Sequence, residues 1–377
     1  MKEETLCIHG GDEPVDCTGS LSVPIYQTAT FAHPGVDRST GYGYSRVQNP
    51  TREHLEKVVA RLERGHDAMA FSSGMAAIAA LMELFKIGDH LIVSDDLYGG
   101  SARLFTDINE KNGLRFDHVC TADPAVVEAH IRPETRAIFV ETPTNPMMEV
   151  TDLAAVAAVA KAHGLLLIVD NTFLTPYFQK PIPLGADIVV HSGTKYLAGH
   201  NDTLAGFLVT ARPELTEKLR RIYITTGACL APFDSWLLLR GIKTLPVRMD
   251  RQQQTALRLA VWLREQPQVS RVYYVGLPDH PGYAVSLKQA TGFGAMISFS
   301  VDSAKRAASL LEKVRLIRFA ESLGGPESLM TYPCKQTHAD VPAAERERLG
   351  VTDRLLRLSV GLEAVEDLIE DLAQALA

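Results

Sequence analysis

The sequence predicts an α/β protein, with a mostly parallel sheet covered by helices on both faces and a smaller α+β domain after it. Three observations carry that reading. From about Arg52 onward, short apolar runs alternate with stretches of helical period. The runs are continuously apolar rather than alternating, as strands buried on both faces must be. After Pro232 the rhythm changes to long helical segments with few strand candidates. A chain of 377 residues is long enough for both domains.

Residues 1–45 look irregular, with Gly10-Gly11, Pro14, Gly19, Pro24, Pro34, Gly35, Gly41 and Gly43 and few apolar runs. A solvated tail is one reading; an arm ordered against a partner subunit is another. Ile25, Tyr26 and Phe31 favour the arm, because a solvated tail has little use for them. The strand candidates are Ala68–Phe71, His90–Ser94, Ala137–Glu141, Leu165–Asp170, Asp187–His191 and Gly206–Thr210. Helical stretches such as Met75–Phe85 and Leu153–His163 lie between them, so right-handed crossovers are expected. A long helical region interrupted at Gly241 runs to Glu265. One more strand, Ala295–Val301, precedes a helix at Ser303–Val314, and a last amphipathic helix starts at Ala364. Three segments result: an N-terminal arm (1–51), a large domain (52–232) and a C-terminal domain (233–377).

Composition narrows the function. Lys+Arg is 38 and Asp+Glu is 45, a net charge of −7, which argues against a nucleic-acid-binding surface. The apolar stretches Leu153–Ala160 and Leu165–Val169 fall short of the ~20 residues needed to cross a bilayer, so no membrane partner is expected. The start, Met1-Lys-Glu-Glu-Thr5, is acidic and has no apolar secretory core, which makes a cytoplasmic protein the default. Cys7, Cys17, Cys120, Cys229 and Cys334 are odd in number and widely spread, with no C-x-x-C. Free thiols are expected, and neither a disulfide framework nor a structural metal site. The P-loop, H-E-x-x-H, dinucleotide and G-x-S-x-G signatures are all missing.

In parallel α/β sheets, ligand-binding residues gather beyond the carboxyl ends of the strands. Three such ends stand out. Leu165–Val169 ends in Asp170, an acid beside five apolar residues, which reads either as a turn or cap residue or as the partner of a cation. The strand at 187–191 leads into Ser192-Gly193-Thr194-Lys195, where hydroxyls and an amine surround a tight turn. Phe71-Ser72-Ser73-Gly74-Met75 opens a helix whose free N–H groups can seat a phosphate. An amine for an aldehyde, an anion for a pyridinium and a phosphate seat together match pyridoxal phosphate.

At this point the sequence resembles the transsulfuration (Cys/Met metabolism) family of pyridoxal-phosphate enzymes. The resemblance rests on Val169-Asp-Asn-Thr-Phe173, His191-Ser-Gly-Thr-Lys-Tyr196, Phe71-Ser-Ser-Gly-Met75 and Glu141-Thr-Pro-Thr-Asn-Pro146. It rests also on Tyr44-Ser-Arg46 with Asn49-Pro-Thr51, Tyr98-Gly-Gly100, Glu321-Ser-Leu-Gly-Gly325 and Arg357-Leu-Ser-Val-Gly361. These motifs run in the expected order over nearly the whole chain. The resemblance implies the aminotransferase type I fold with a seven-stranded sheet, pyridoxal 5′-phosphate as cofactor, a small amino-acid substrate, and a homotetramer built from two tight dimers.

It also implies roles. Lys195 would be the Schiff-base lysine and proton shuttle, and Asp170 would pair with the pyridinium nitrogen. Tyr98 would stack on the ring and act as the acid for the leaving group. Gly74, Met75, Ser192 and Thr194 would hold the phosphate, with Tyr44 and Arg46 reaching it from a neighbouring subunit. Asn145 would sit by the cofactor and the substrate carboxylate. Arg357 would bind that carboxylate through its planar fork, and Ser322 would help to position the substrate and lysine. Glu321 resembles the acid with which cystathionine γ-synthases and γ-lyases can meet a distal amino group. Gly100 stands where methionine γ-lyases carry a cysteine, which weighs against that activity. The stretch Thr331–Pro342 looks like the bacterial γ-synthase and cystathionine lyase branch. Asn201 replaces the serine expected after Gly199-His200.

The expected function is therefore C–S bond making or breaking at the γ-carbon of cystathionine or an O-acyl-homoserine. Cystathionine β-lyase, methionine γ-lyase and O-acetylhomoserine sulfhydrylase activities are the alternatives within the family. A non-enzymatic cofactor-binding protein, or a decarboxylase or aminotransferase, are the alternatives outside it.

Overall fold

The structure, a computed structural model, describes residues 1–11 and 18–377. Pro14 and Cys17, named above, lie outside the described residues. Cys7, Cys120, Cys229 and Cys334 are free thiols. Among the described residues, no helix is long and apolar enough to cross a membrane.

The first regular element is a short helix, α1 (Glu3–His9), which packs against α2 (Pro50–Glu63). Its seven residues were not legible in a segment rich in glycine and proline. α2 is fixed at its start by Asn49, whose side chain accepts from the Thr51 N–H, with Pro50 in the first turn. The arm before it is tied down locally: Thr51 Oγ1 donates to Pro24 O and accepts from Tyr26 N. The buried Arg52 guanidinium donates to Ser45 O and Leu230 O. Leu21 and Val36 nevertheless stand 95% and 92% exposed, which leaves apolar surface on the arm uncovered.

Seven strands form the large sheet: β1 (Asp67–Phe71), β2 (His90–Ser94), β3 (Arg115–Val119), β4 (Thr135–Glu141), β5 (Leu166–Asp170), β6 (Ile188–Ser192) and β7 (Gly206–Thr210). Their order is β1-β7-β6-β5-β4-β2-β3, and only β7 runs against the others. This is the mostly parallel sheet that the apolar runs predict. Met69, Leu91, Ile138, Ile168, Val189 and Leu208 are fully buried within it, because helices cover both faces. β3 was missed. It is an edge strand with mixed exposure, Arg-Phe-Asp-His-Val, so it carries no continuous apolar run.

Helix boundaries follow local chemistry. α3 (Gly74–Met82) starts where the Ser73 hydroxyl accepts from Ala76 N. α4 (Gly99–Arg103) follows β2 and runs straight on into a π-helical stretch, Leu104–Asn109. After it come α5 (Pro124–Ala129) and the alanine-rich α6 (Leu153–His163). Asp152 caps α6 at one end, and Gly164 ends it in a left-handed conformation with φ 67°.

The second sheet has five strands, order β10-β11-β12-β9-β8, where one was expected. They are β8 (Val269–Tyr273), β9 (Met296–Val301), β10 (Arg318–Phe319), β11 (Leu329–Thr331) and β12 (Leu355–Ser359). β10 and β11 are two and three residues long, and β8 is half exposed, so none of these three gives a clear pattern. The fourth unexpected strand, β12, is fully buried, and in the sequence its apolar run reads only as the surroundings of Arg357. The long helical region is two helices, Pro232–Ile242 and Leu245–Arg264. Gly241 lies inside the first and does not break it. It is glycine because a Cβ there would stand 2.1 Å from the Ala198 carbonyl oxygen.

Candidate active site

A cavity of about 320 Å³ opens where the carboxyl ends of β4, β5 and β6 face β12 and the 321–323 loop. Glu141, Asp170, Ser192, Lys195 and Arg357 all line it. A larger open cleft of about 800 Å³ lies near Arg264, Asp279 and Glu347, but among the described residues no lysine lines it, and Arg264 is already paired with Asp279. The convergent chemistry is in the smaller cavity.

Asp170 ends β5. Its Oδ1 accepts from Thr172 N at 3.0 Å and Thr172 Oγ1 at 2.6 Å, a local turn of the kind the sequence also allowed. The Thr172 hydroxyl accepts in turn from Ser192 N at 2.9 Å, which joins the ends of β5 and β6. Asp170 keeps some surface toward the cavity but is walled off from bulk solvent. Burial pushes its carboxyl above the usual range, while the Thr172 bonds and His191 oppose that rise.

Lys195 follows the turn after β6. Gly193 permits that turn, since a Cβ there would meet Phe207 Cε2 at 2.6 Å. The Lys195 amine donates to Ser322 Oγ at 2.8 Å. Burial first, and the Arg357 charge second, lower its pKa to about 8; Glu321 at the cavity mouth pulls it the other way.

Arg357 comes from the middle of β12 and is 2% exposed. Nη1 donates to Asn145 Oδ1 at 2.7 Å, and Nη2 donates to Ser322 O and Thr331 Oγ1, each at 3.1 Å. All three acceptors are neutral, and Nε has no partner. A buried cation without a counter-ion is costly, and an incoming carboxylate would relieve that cost.

The start of α3 makes a close-packed turn. A Cβ on Gly74 would lie 3.2 Å from Ser192 Cα, and one on Gly206 would lie 2.1 Å from the Ser73 carbonyl oxygen. The Ser73 hydroxyl accepts from Ala76 N in the helix cap and keeps its own O–H to donate, so it stands with the free Gly74 and Met75 N–H groups as a candidate anion donor. The Thr194 hydroxyl already bonds both ways with Ala205, donating to its carbonyl and accepting from its N–H.

Tyr98 lines the cavity and is 42% exposed. Tyr44 and Arg46 do not line it. The Arg46 guanidinium donates to Ile224 O and lies 5.6 Å from the Tyr44 ring centroid. Within one chain, the arm and the cavity stay apart. Glu141, named above only as part of a motif, is a cavity residue that sequence reasoning missed. It ends β4 as Asp170 ends β5, so the strand-end rule would have found it.

Pyridoxal 5′-phosphate, the cofactor that the resemblance implies, needs an amine of lowered basicity, an anion for its ring nitrogen and donors for its phosphate. Lys195, Asp170 and the first turn of α3 are of those three kinds and face one cavity, so the residues present fit the group. Residues 4–377 match the model of the Cys/Met metabolism PLP-dependent enzymes. Cystathionine gamma-lyase of Bacillus subtilis is 51% identical over 376 residues, covering 100% of this chain and 99% of that one. Cystathionine beta-lyase of Lactococcus lactis is 47% identical, covering 99% and 98%. The crystal structure of cystathionine gamma-lyase from Lactobacillus plantarum complexed with L-serine superposes with a TM-score of 0.97 at 46% identity, covering 100% and 98%. The match of fold, cavity chemistry and sequence over full length leaves one conclusion: the chain belongs to the Cys/Met metabolism family of pyridoxal-phosphate-dependent enzymes.

Proposed function

We propose that the protein makes or breaks C–S bonds at the γ-carbon of sulfur amino acids, with cystathionine or an O-acyl-homoserine as substrate. The observation that carries this reading is the convergence on one cavity of Lys195 and Asp170 from the large sheet and Arg357 from the small one. That pairing sets a carboxylate anchor opposite a proton-moving amine, the arrangement an α-amino acid requires.

Pyridoxal 5′-phosphate, when bound, supplies an aldehyde for amines and an electron sink for charge developing at the substrate Cα. The chain's own residues do the rest. Lys195 holds the cofactor, then takes and returns protons at Cα and Cβ. Its lowered pKa of about 8 makes the neutral, basic amine available near neutral pH. Asp170 supplies the anion that keeps the ring nitrogen protonated. Gly74, Met75 and Ser192 would hold the phosphate, Thr194 would join them by turning its hydroxyl proton away from Ala205 O, and Tyr44 and Arg46 of a second copy would complete that seat in a homotetramer. Arg357 fixes the substrate carboxylate, with Asn145 and Ser322 setting the guanidinium and the amine. Tyr98 covers the ring and donates the proton to the leaving sulfur or oxygen.

Glu321 supports cystathionine or cysteine as the reactant. It lines the cavity and also an adjoining cleft that holds Asp202 and Asp234; among the described residues, no lysine other than Lys195 and no arginine other than Arg357 lines either. An acidic mouth favours the distal ammonium group of cystathionine or the ammonium of cysteine. The test is a product assay on cystathionine, and separately on O-acyl-homoserine plus cysteine. γ-Cleavage gives 2-oxobutyrate, ammonia and cysteine; pyruvate with homocysteine would mean β-cleavage and overturn the assignment.

A further inference from the structure

We propose that Glu141 is a positioning residue whose side chain ties the first turn of α4 to the end of β4 and so holds Tyr98 at the cavity wall. The inference rests on the reading of Tyr98 as the side chain that covers the cofactor ring.

The head of α4 is its weak end. The helix runs on without a break into a π-helical stretch, Leu104–Asn109, but it begins with two glycines and has no side-chain cap at Tyr98. Tyr98 is 42% exposed, with Gly100 close beneath its ring. Its place is set by its backbone, and the Tyr98 N–H donates to Glu141 Oε2 at 3.0 Å. Glu141 is itself anchored: its backbone N–H donates to Ser94 Oγ at 3.2 Å. The Ser94, Thr121 and Thr151 hydroxyls continue as a buried chain with 2.8 Å links. The glycines complete the seat. A Cβ on Gly100 would lie 2.5 Å from Tyr98 Cε1, and one on Gly99 would lie 2.0 Å from Thr337 O. The α4 backbone is therefore pressed between Tyr98's own ring and the 337–338 segment, with the Glu141 carboxyl at its head.

Glu141 is the register partner of Asp170 on the neighbouring strand. Burial, and then the Asp170 charge, push its carboxyl well above the usual range. A carboxyl oxygen accepts an N–H in either protonation state, and an amide oxygen accepts it in the same way. Glutamine should therefore do the same work.

The experiment compares Glu141→Ala, Glu141→Gln, Tyr98→Ala and the Glu141→Ala/Tyr98→Ala double variant as holoenzymes. Two quantities are read: kcat/KM on cystathionine, and the visible circular dichroism of the bound cofactor. Glu141→Ala should lose up to about 100-fold in kcat/KM and weaken the visible band, as displacement of a covering group does. Glu141→Gln should restore both toward the parent values. In the Tyr98→Ala background, Glu141→Ala should add little, because the group it holds is gone. Should Glu141→Ala not fold, Glu141→Met fills the volume without an acceptor and takes its place. The inference is overturned if Gln is as impaired as Ala, if the two losses add in full, or if Tyr98→Ala is impaired while Glu141→Ala is not. A Tyr98→Ala enzyme with both signals unchanged would instead remove the underlying reading of Tyr98, and the inference with it.

Discussion

Lys195 shows how the cavity changes a single residue. An ordinary lysine amine titrates at 10.5, but burial and Arg357 bring this one to about 8, and Glu321 opposes them. At pH 7 about a tenth of the amines are then neutral, against less than one in a thousand for an unperturbed lysine. Only the neutral amine can attack an aldehyde. The sign follows: a depressed pKa moves the gain in neutral amine to lower pH. The rate at which cofactor-free enzyme takes up pyridoxal phosphate should rise with pH to about 8 and then level off. Glu321→Gln removes the influence that raises the pKa, so the levelling point should move to lower pH. Stopped-flow absorbance across a pH series checks both. A rate still climbing at pH 10, or an unmoved midpoint in Glu321→Gln, would contradict the account. Arg357 teaches a related lesson. Its apolar neighbours in Leu355–Ser359 suggested partial burial in the sequence, and the structure places it 2% exposed with only neutral partners.

At the scale of elements, legibility followed burial. His90–Ser94, Gly206–Thr210 and Leu153–His163 have the boundaries that the sequence indicates, because continuous apolar runs and an Asp-to-Gly capping pair mark them unambiguously. β3, β8, β10 and β11 were invisible, since edge strands and two- or three-residue strands carry no period to read. Lys195, Asp170 and the α3 turn were legible because each ends a readable strand. Glu141 also ends a readable strand and its place was open to the same rule, but its bond to Tyr98, 43 residues away, was not. The element most exposed to test is the turn where β7 passes beneath residues 72–74. Gly206→Ala would put a Cβ 2.1 Å from the Ser73 carbonyl oxygen, and backbone on both sides must then shift. The substitution should weaken pyridoxal-phosphate affinity by tenfold or more, while the large sheet still forms. Equilibrium dialysis with the cofactor, beside a far-ultraviolet circular dichroism spectrum, measures both. Unchanged affinity would separate that turn from the phosphate seat.

At the scale of the whole molecule, two sheets contribute the two halves of one cavity, and among the described residues none of the arm lines the cavity of its own chain. Arg46 lies against residues 224–227 with Tyr44 beside it, and Leu21 and Val36 stand uncovered. A second copy that covers the arm would bring its cavity to them. Mixing inactive Lys195→Ala with Arg46→Ala under subunit exchange should therefore regenerate activity, since some hybrids carry one site with both residues native. No recovery on exchange would refute a shared site. The architecture rests on the Lys195 amine being the group that holds the cofactor. The direct measurement is borohydride reduction of the holoenzyme, followed by proteolysis and mass spectrometry of the pyridoxyl-bearing peptide. The account predicts a single labelled peptide, modified at Lys195. A label at any other lysine, or none on an enzyme that turns over cystathionine, would contradict it.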